Sequence, residues 1–302
     1  MSLINAILYI FLALFWGGSF VAIKIAVATT PPLFAGFLRV SFAAIFLAMI
    51  YLVIRKPFTV TRKMYLKVWL GGIFSMGIPF SFLFWGERLI SPGLGGVLNG
   101  TAPMWTFIFG LIFMRKYETF SKRKVAGLCL GIFGLGLIFG PKLGSESMNE
   151  LLGTIAVTIM AISYGIGTII NRSIFTSSYK VDLHGNLFQQ VLASVVYLFI
   201  LTVAIEGIPH VESVFHAPIV LFSVLYLGCV STAIAFLMYF RLIRDWGGFR
   251  ASTVAYLVPL VAVFLDFVIN GQKLSHAELA GVFSIVAGVI IIQLPGRPIT
   301  AH

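Results

Sequence analysis

Four ionisable residues stand inside long apolar runs of this chain: Lys24, Arg39, Glu87 and Asp266. A charge surrounded by lipid costs on the order of 3 kcal/mol or more unless it is paired or hydrated, so each is a functional candidate by default. Lys24 or Arg39 suits a carboxylate or phosphate on a solute, while Glu87 or Asp266 suits an amine or a proton that is taken up and released. They come from four different runs near one face of the membrane and are expected to surround one vestibule. The structural alternative pairs Arg39 with one of the acids to fix helix packing, and lets Lys24 and Arg88 snorkel to the interface. Tyr256, Pro259, Val263 and Asp266 follow a 3–4–3 spacing and share one helical face, which turns Asp266 away from lipid.

Neutral groups add to this set. The stretch from Pro92 through Gly93, Gly95, Gly96, Asn99, Gly100 and Thr101 to Pro103 is too rich in Gly and Pro for a uniform helix and is expected to bend or break. Freed backbone and polar side chains at membrane depth need protein or a water-filled cavity to receive them, which makes Asn99 and Thr101 candidate ligand contacts. Close helix packing, with Asn99 bonded to a neighbour, is the alternative. Trp16, Trp85, Trp105, Tyr164 and Tyr239 could form an aromatic cage for amines or flat rings. An interfacial belt is the alternative for aromatics near span ends.

Chemistry of other kinds lacks its residues. Neither His-Glu-x-x-His nor Gly-x-Ser-x-Gly occurs, and the five histidines, His184, His210, His216, His276 and His302, show no metal-ligand spacing. No catalytic, metal or cofactor site is expected. Cys129 and Cys229 lie in apolar runs and read as small packing residues. No ring of charges or carbonyl-rich filter marks a channel.

The elements that must position these residues follow from composition. Of 302 residues, 59% are hydrophobic and 10% charged, against roughly 25% charged in a soluble domain. About ten runs reach the ~20 residues that a spanning helix needs: 4–26, 33–54, 67–88, 93–114, 123–140, 150–171, 183–205, 217–240, 250–270 and 276–294. The net charge of +11 sits mainly in alternate connections, with Arg55, Lys56, Arg62, Lys63 and Lys67 before the third span and Arg115, Lys116, Lys122, Arg123 and Lys124 before the fifth. By the positive-inside tendency these loops are cytoplasmic, as are both termini. The charge is thus a topology signal, and no nucleic-acid partner is expected. The first run lacks a preceding Lys or Arg and is long, so it is read as a retained helix rather than a cleaved signal.

The chain is written twice. Trp16-Gly17 matches Tyr164-Gly165, Lys24 matches Arg172, and Phe82-Leu83-Phe84-Trp85 matches Phe236-Leu237-Met238-Tyr239. Pro103 matches Pro259, Glu118 matches Gln272, Gly127 matches Gly281, and Gly134 matches Gly288. Five spans per copy is odd, so the copies, 1–145 and 146–302, enter from opposite sides as an inverted repeat. Such repeats commonly hold a substrate site near the midplane at their interface and move by alternating access. The glycines at 127, 131, 134 and 136, with 281 and 288, read as a packing face within a monomer or homodimer.

Leu14 through Lys24, with Phe37-Leu38-Arg39-Val40, resembles the opening of the drug/metabolite transporter superfamily in its EamA-domain branch. Tyr226 through Phe236, Leu257-Val258-Pro259-Leu260 and Leu274 through Gly288 resemble that domain's closing pattern. The resemblance covers essentially the whole chain. It implies an all-α, ten-helix carrier of the bacterial inner membrane, usually an exporter of amino acids, nucleobases or related metabolites. Two positions depart from the pattern: Gln272 stands where members often carry Glu, and Ser19 where Asn follows the Trp-Gly pair. Ser19 is kept as a candidate contact.

These readings converge on a secondary transporter for small polar metabolites, with lipid as its solvent and protons as a possible coupling ion through Asp266 or Glu87. An intramembrane enzyme or another membrane protein is the competing class. Within transport, amino acids, nucleobase derivatives and cationic drugs all remain open.

Overall fold

The computed structural model describes residues 3–90, 92–140, 147–208, 214, 217–261 and 276–294, and among these there is helix and no strand. Seven helices are long and apolar enough to cross a membrane: Leu3–Thr29, Pro32–Val53, Arg62–Gly86, Leu94–Phe113, Met148–Phe175, Leu183–Ile205 and Pro218–Trp246. Helix Lys122–Phe139 and the shorter apolar helices Gly248–Val261 and Leu279–Gln293 fall at the fifth, ninth and tenth expected spans. Large apolar side chains such as Leu52, Phe113, Phe222 and Phe283 stand exposed on the outside, as lipid-facing residues must. The chain is a multi-pass membrane protein.

The fourth span breaks where its composition predicts. Helix Pro92–Asn99 stops, Gly100 and Thr101 form a turn, and helix Ala102–Phe113 restarts. Pro103 sits in the first turn of the second piece, where its missing N–H leaves nothing unpaired.

Two spans contain wide, π-helical turns at equivalent places in the two copies. One is Ile73–Gly77 in the third span, the other Tyr226–Ile234 in the eighth. In the third span Pro79 cannot donate to the carbonyl of residue 75 and its ring crowds that carbonyl, so a wider turn relieves the clash. In the eighth there is no proline within the segment; Thr232 instead bonds the Leu227 carbonyl five residues back at 2.8 Å. Both segments offer backbone carbonyls to other spans. Ser163 Oγ donates to the Phe74 carbonyl at 2.9 Å, and Trp16 Nε1 donates to the Ser231 carbonyl at 3.1 Å. The sixth span therefore does to the third what the first does to the eighth.

The same symmetry joins the fifth and tenth spans. A Cβ added at Gly134 would lie 2.6 Å from the Gly281 carbonyl, and one at Gly288 would lie 2.7 Å from the Gly127 carbonyl. Since 127 matches 281 and 134 matches 288, the two contacts are one contact repeated about the two-fold. Small residues let the backbones approach in a setting where no hydrophobic effect drives helices together.

Buried polar groups tie the rest. Gln190 Nε2 donates to Asn171 Oδ1 at 2.6 Å and Asn186 Oδ1 at 3.0 Å, and Asn171 Nδ2 reaches Ser75 Oγ at 3.0 Å. This network pins the third, sixth and seventh spans. At another corner the Leu33 and Phe34 amides donate to the two carboxylate oxygens of Glu206 at 2.9 and 2.8 Å, a charge-assisted cap at the start of the second span.

Candidate functional site

A cavity lies where the two halves meet. It is lined by Trp16, Ser19 and Phe20 of the first span, Arg39 of the second, Leu83 of the third, and Asn99, Ala102 and Thr106 of the fourth. The second half contributes Tyr164 and Thr168 of the sixth, Tyr239 of the eighth, and Ser252 and Ala255 of the ninth. The broken fourth span places Asn99 at the end of its first piece and Ala102 at the start of its second, so both border the same space. The volume is ≈ 40 Å³, enough for a few waters and too little for a metabolite.

Arg39 dominates its chemistry. The side chain is 2% exposed, and its guanidinium lies over the Phe80 ring at 3.9 Å. Nε donates to Thr232 Oγ1 at 2.8 Å, and Nη2 donates to the Ser231 carbonyl and Oγ, each at 3.3 Å. Nη1 is buried with no hydrogen-bond partner among the described residues. Arg39 thus has no carboxylate partner among the described residues, and the ion pair considered for it is not formed there. Trp16 packs edge-on against Tyr239 at 5.0 Å and Phe236 at 5.6 Å. Ser19 Oγ returns to the Trp16 carbonyl at 2.6 Å.

Tyr239 also closes one wall, since its hydroxyl and Thr168 Oγ1 share a hydrogen bond of 2.7 Å. Beyond that wall, on the face of the basic loops, opens a vestibule of ≈ 730 Å³. Tyr117, Glu118, Arg123, Lys124, Arg172, Phe249 and Arg250 are among its lining residues. Phe249 lines this vestibule and its ring meets that of Phe107 at 4.9 Å; Thr106 and Ser252, close to these two in sequence, line the cavity. Lys124 Nζ stands 5.9 and 5.8 Å from those rings and forms an ion pair with Glu118. The eighth and ninth spans are joined here by Gly247 alone, at φ +90, a backbone state that favours glycine.

Of the residues singled out in the sequence, Trp16, Ser19, Arg39, Asn99, Tyr164 and Tyr239 come together in the cavity. Lys24 and Glu87 meet elsewhere: Lys24 Nζ donates to the Glu87 carbonyl at 3.0 Å. The Glu87 carboxyl is fully buried without a hydrogen-bond partner, against Gly95. The single vestibule expected for the ionisable residues is therefore not what the described helices build, because Arg39 turns toward the eighth span's wide turn. Trp85 is 40% exposed and faces outward. Thr101 bonds the Leu98 carbonyl at 2.7 Å within its own helix break. Trp105 packs on Gly165 and its Nε1 is buried without a partner. Tyr256 is fully buried against Gly131, its hydroxyl 3.3 Å from the Leu128 carbonyl. Asp266 lies outside the described residues. Thr106, Thr168, Ser252, Ser231 and Thr232 were not foreseen. Thr168 had a signal, since Tyr164, Thr168 and Arg172 fall four residues apart on one face; an isolated Ser or Thr in an apolar run has none.

The model of the EamA-like transporter family matches residues 3–140 and again residues 151–294. The chain is similar to the uncharacterized transporter YoaV of Bacillus subtilis, at 26% identity over 92% of each chain. It is also similar to a probable amino-acid metabolite efflux pump of Salmonella typhimurium, at 27% identity over 96% of this chain and 95% of that one. A solved crystal structure, 18% identical, superimposes over 96% of each chain with a TM-score of 0.74, so its fold is the same.

Proposed function

We propose that this chain, which belongs to the EamA-like transporter family, is a secondary transporter that exports amino acids or related small polar metabolites across the bacterial inner membrane. The observation that carries this reading is the small cavity between the halves, lined in part by Arg39, together with a wide vestibule on the basic-loop face. A solute would enter the vestibule, pass the Phe107 and Phe249 rings, and occupy the cavity as the halves rock. A cavity of ≈ 40 Å³ would have to widen to admit a solute, in keeping with alternating access at a repeat interface. The amino-acid reading draws on the name of the Salmonella relative and on the pairing of one cation with aromatic faces. The repeats divide at 145/146, both termini are cytoplasmic, and the protein works in lipid as a monomer or homodimer.

Coupling to protons falls to Glu87 or Asp266. For Glu87 this reading is supported by a buried carboxyl with no hydrogen-bond partner among the described residues and by a backbone carbonyl that holds Lys24. The test is flux of a labelled amino-acid and nucleoside panel in proteoliposomes, with and without a pH gradient, for wild type, Glu87→Gln and Asp266→Asn. Gradient-driven accumulation that one substitution abolishes while sparing exchange identifies the coupling acid. Flux indifferent to the gradient in all three proteins makes the chain a facilitator, and absence of flux in folded protein defeats the transport reading.

A further inference from the structure

Arg39 is the one ionised side chain among the described residues that line the cavity, and no acid accompanies it. We propose that the transported molecule carries a single carboxylate and that Nη1 of Arg39 is where it docks, an assignment that rests on the transport reading above.

The guanidinium is held before any ligand arrives. Phe80 covers one face, and Thr232 and Ser231 occupy Nε and Nη2. That leaves the Nη1 edge, buried and without an acceptor among the described residues. A buried charged donor left unsatisfied is costly, and a carboxylate oxygen in the guanidinium plane supplies both the missing acceptor and the missing countercharge. The two bonds at Nη2 are long, 3.3 Å each, so the second carboxylate oxygen can share that nitrogen in the bidentate geometry Arg favours.

The remaining lining bounds the rest of the molecule. One cation balances one negative charge, so a phosphate dianion is left partly uncompensated. A net cation meets Arg39 with no acid among the described lining residues to receive it, which disfavours cationic drugs. An α-ammonium on the same molecule as the carboxylate is neutralised overall and can face Trp16, Tyr164 and Tyr239. Asn99, 9% exposed and with no side-chain hydrogen bond among the described residues, can accept from it. Neutral amino acids and simple carboxylic acids therefore fit, while their amides and esters do not.

The experiment uses the full chain in proteoliposomes, with amino acids as labelled solutes and three competitor sets: the free acids, their amides and methyl esters, and the deaminated acids. In wild type the acids and deaminated acids should compete at least about tenfold better than the amides and esters, as expected for loss of one buried charge-assisted contact. Arg39→Gln should collapse that ratio and Arg39→Lys should retain part of it. Equal competition by acids and amides in wild type overturns the assignment. So does an Arg39→Gln protein whose flux falls while the ratio stays, since that is the signature of a bracing role only. Flux without discrimination thus defeats the carboxylate assignment alone, whereas no flux for any solute in folded wild type defeats it together with the transport reading.

Discussion

At the scale of single residues, the contacts near both cavity and vestibule are two rings, one tyrosine–threonine hydrogen bond and one lysine near the rings, and the transport reading makes them the partition. Such a partition can open by rotamer changes without unfolding a helix, which is what a gate at a small site requires. Phe249→Leu keeps an apolar side chain in this buried position but removes the flat face that meets Phe107. In a protein with Cys129→Ala and Cys229→Ala, a Ser252→Cys probe should then react several-fold faster with a membrane-impermeant thiol reagent applied from the basic-loop side. Unchanged labelling would put the closure elsewhere. The sequence marked Tyr239 and Trp16 for this region through the internal repeat, yet it gave Phe249 no distinction among 29 phenylalanines. Only the close approach of the fourth and ninth spans selects that ring.

At the scale of elements, two irregularities do the positioning. The break at Gly100 and Thr101 lets one span present Asn99 and Ala102 to the same cavity, and the wide turn in the eighth span frees the Ser231 carbonyl for Trp16 and Arg39. Any ligand that draws on Arg39 thereby pulls on the eighth span. The fifth and tenth spans make the opposite use of sequence, with glycines that forbid any gap. Gly134→Ala should destabilise the protein by about 1–3 kcal/mol, as overpacking does, because its Cβ would meet the Gly281 carbonyl and Ile285. Gly136→Ala, with nothing within 4 Å of its added Cβ, should be neutral or stabilising by up to about 1 kcal/mol through helix propensity. Thermal inactivation of the two variants in detergent, followed by size-exclusion chromatography, separates them; equal losses would mean that the glycine face is not a close-packing seam.

At the scale of the whole molecule, direction of transport depends on which compartment the vestibule faces. On the positive-inside tendency the basic loops are expected in the cytoplasm, where a solute bound for export would load. A fluorescent-protein fusion at the C-terminus should be bright and an alkaline phosphatase fusion at the same point inactive. The reverse pair would turn the vestibule outward and make uptake the natural direction.

The chain alone marked its solvent, its apolar helices, a repeat that the family model also matches twice and the break in the fourth span, because hydropathy runs, recurring landmarks and Gly-Pro punctuation are local properties written directly in residue order. It also marked Arg39, Trp16 and Tyr239, since charge inside an apolar run and recurrence between copies are visible without coordinates. Tertiary structure decided the rest. Arg39 turns to a freed carbonyl on the eighth span, Lys24 reaches the Glu87 backbone carbonyl while the carboxyl of that residue stays without a hydrogen-bond partner among the described residues, and Trp85 faces outward, since a side chain's partner depends on helix rotation and on where a helix widens. Long-range packing fixes both, and residue spacing leaves them open.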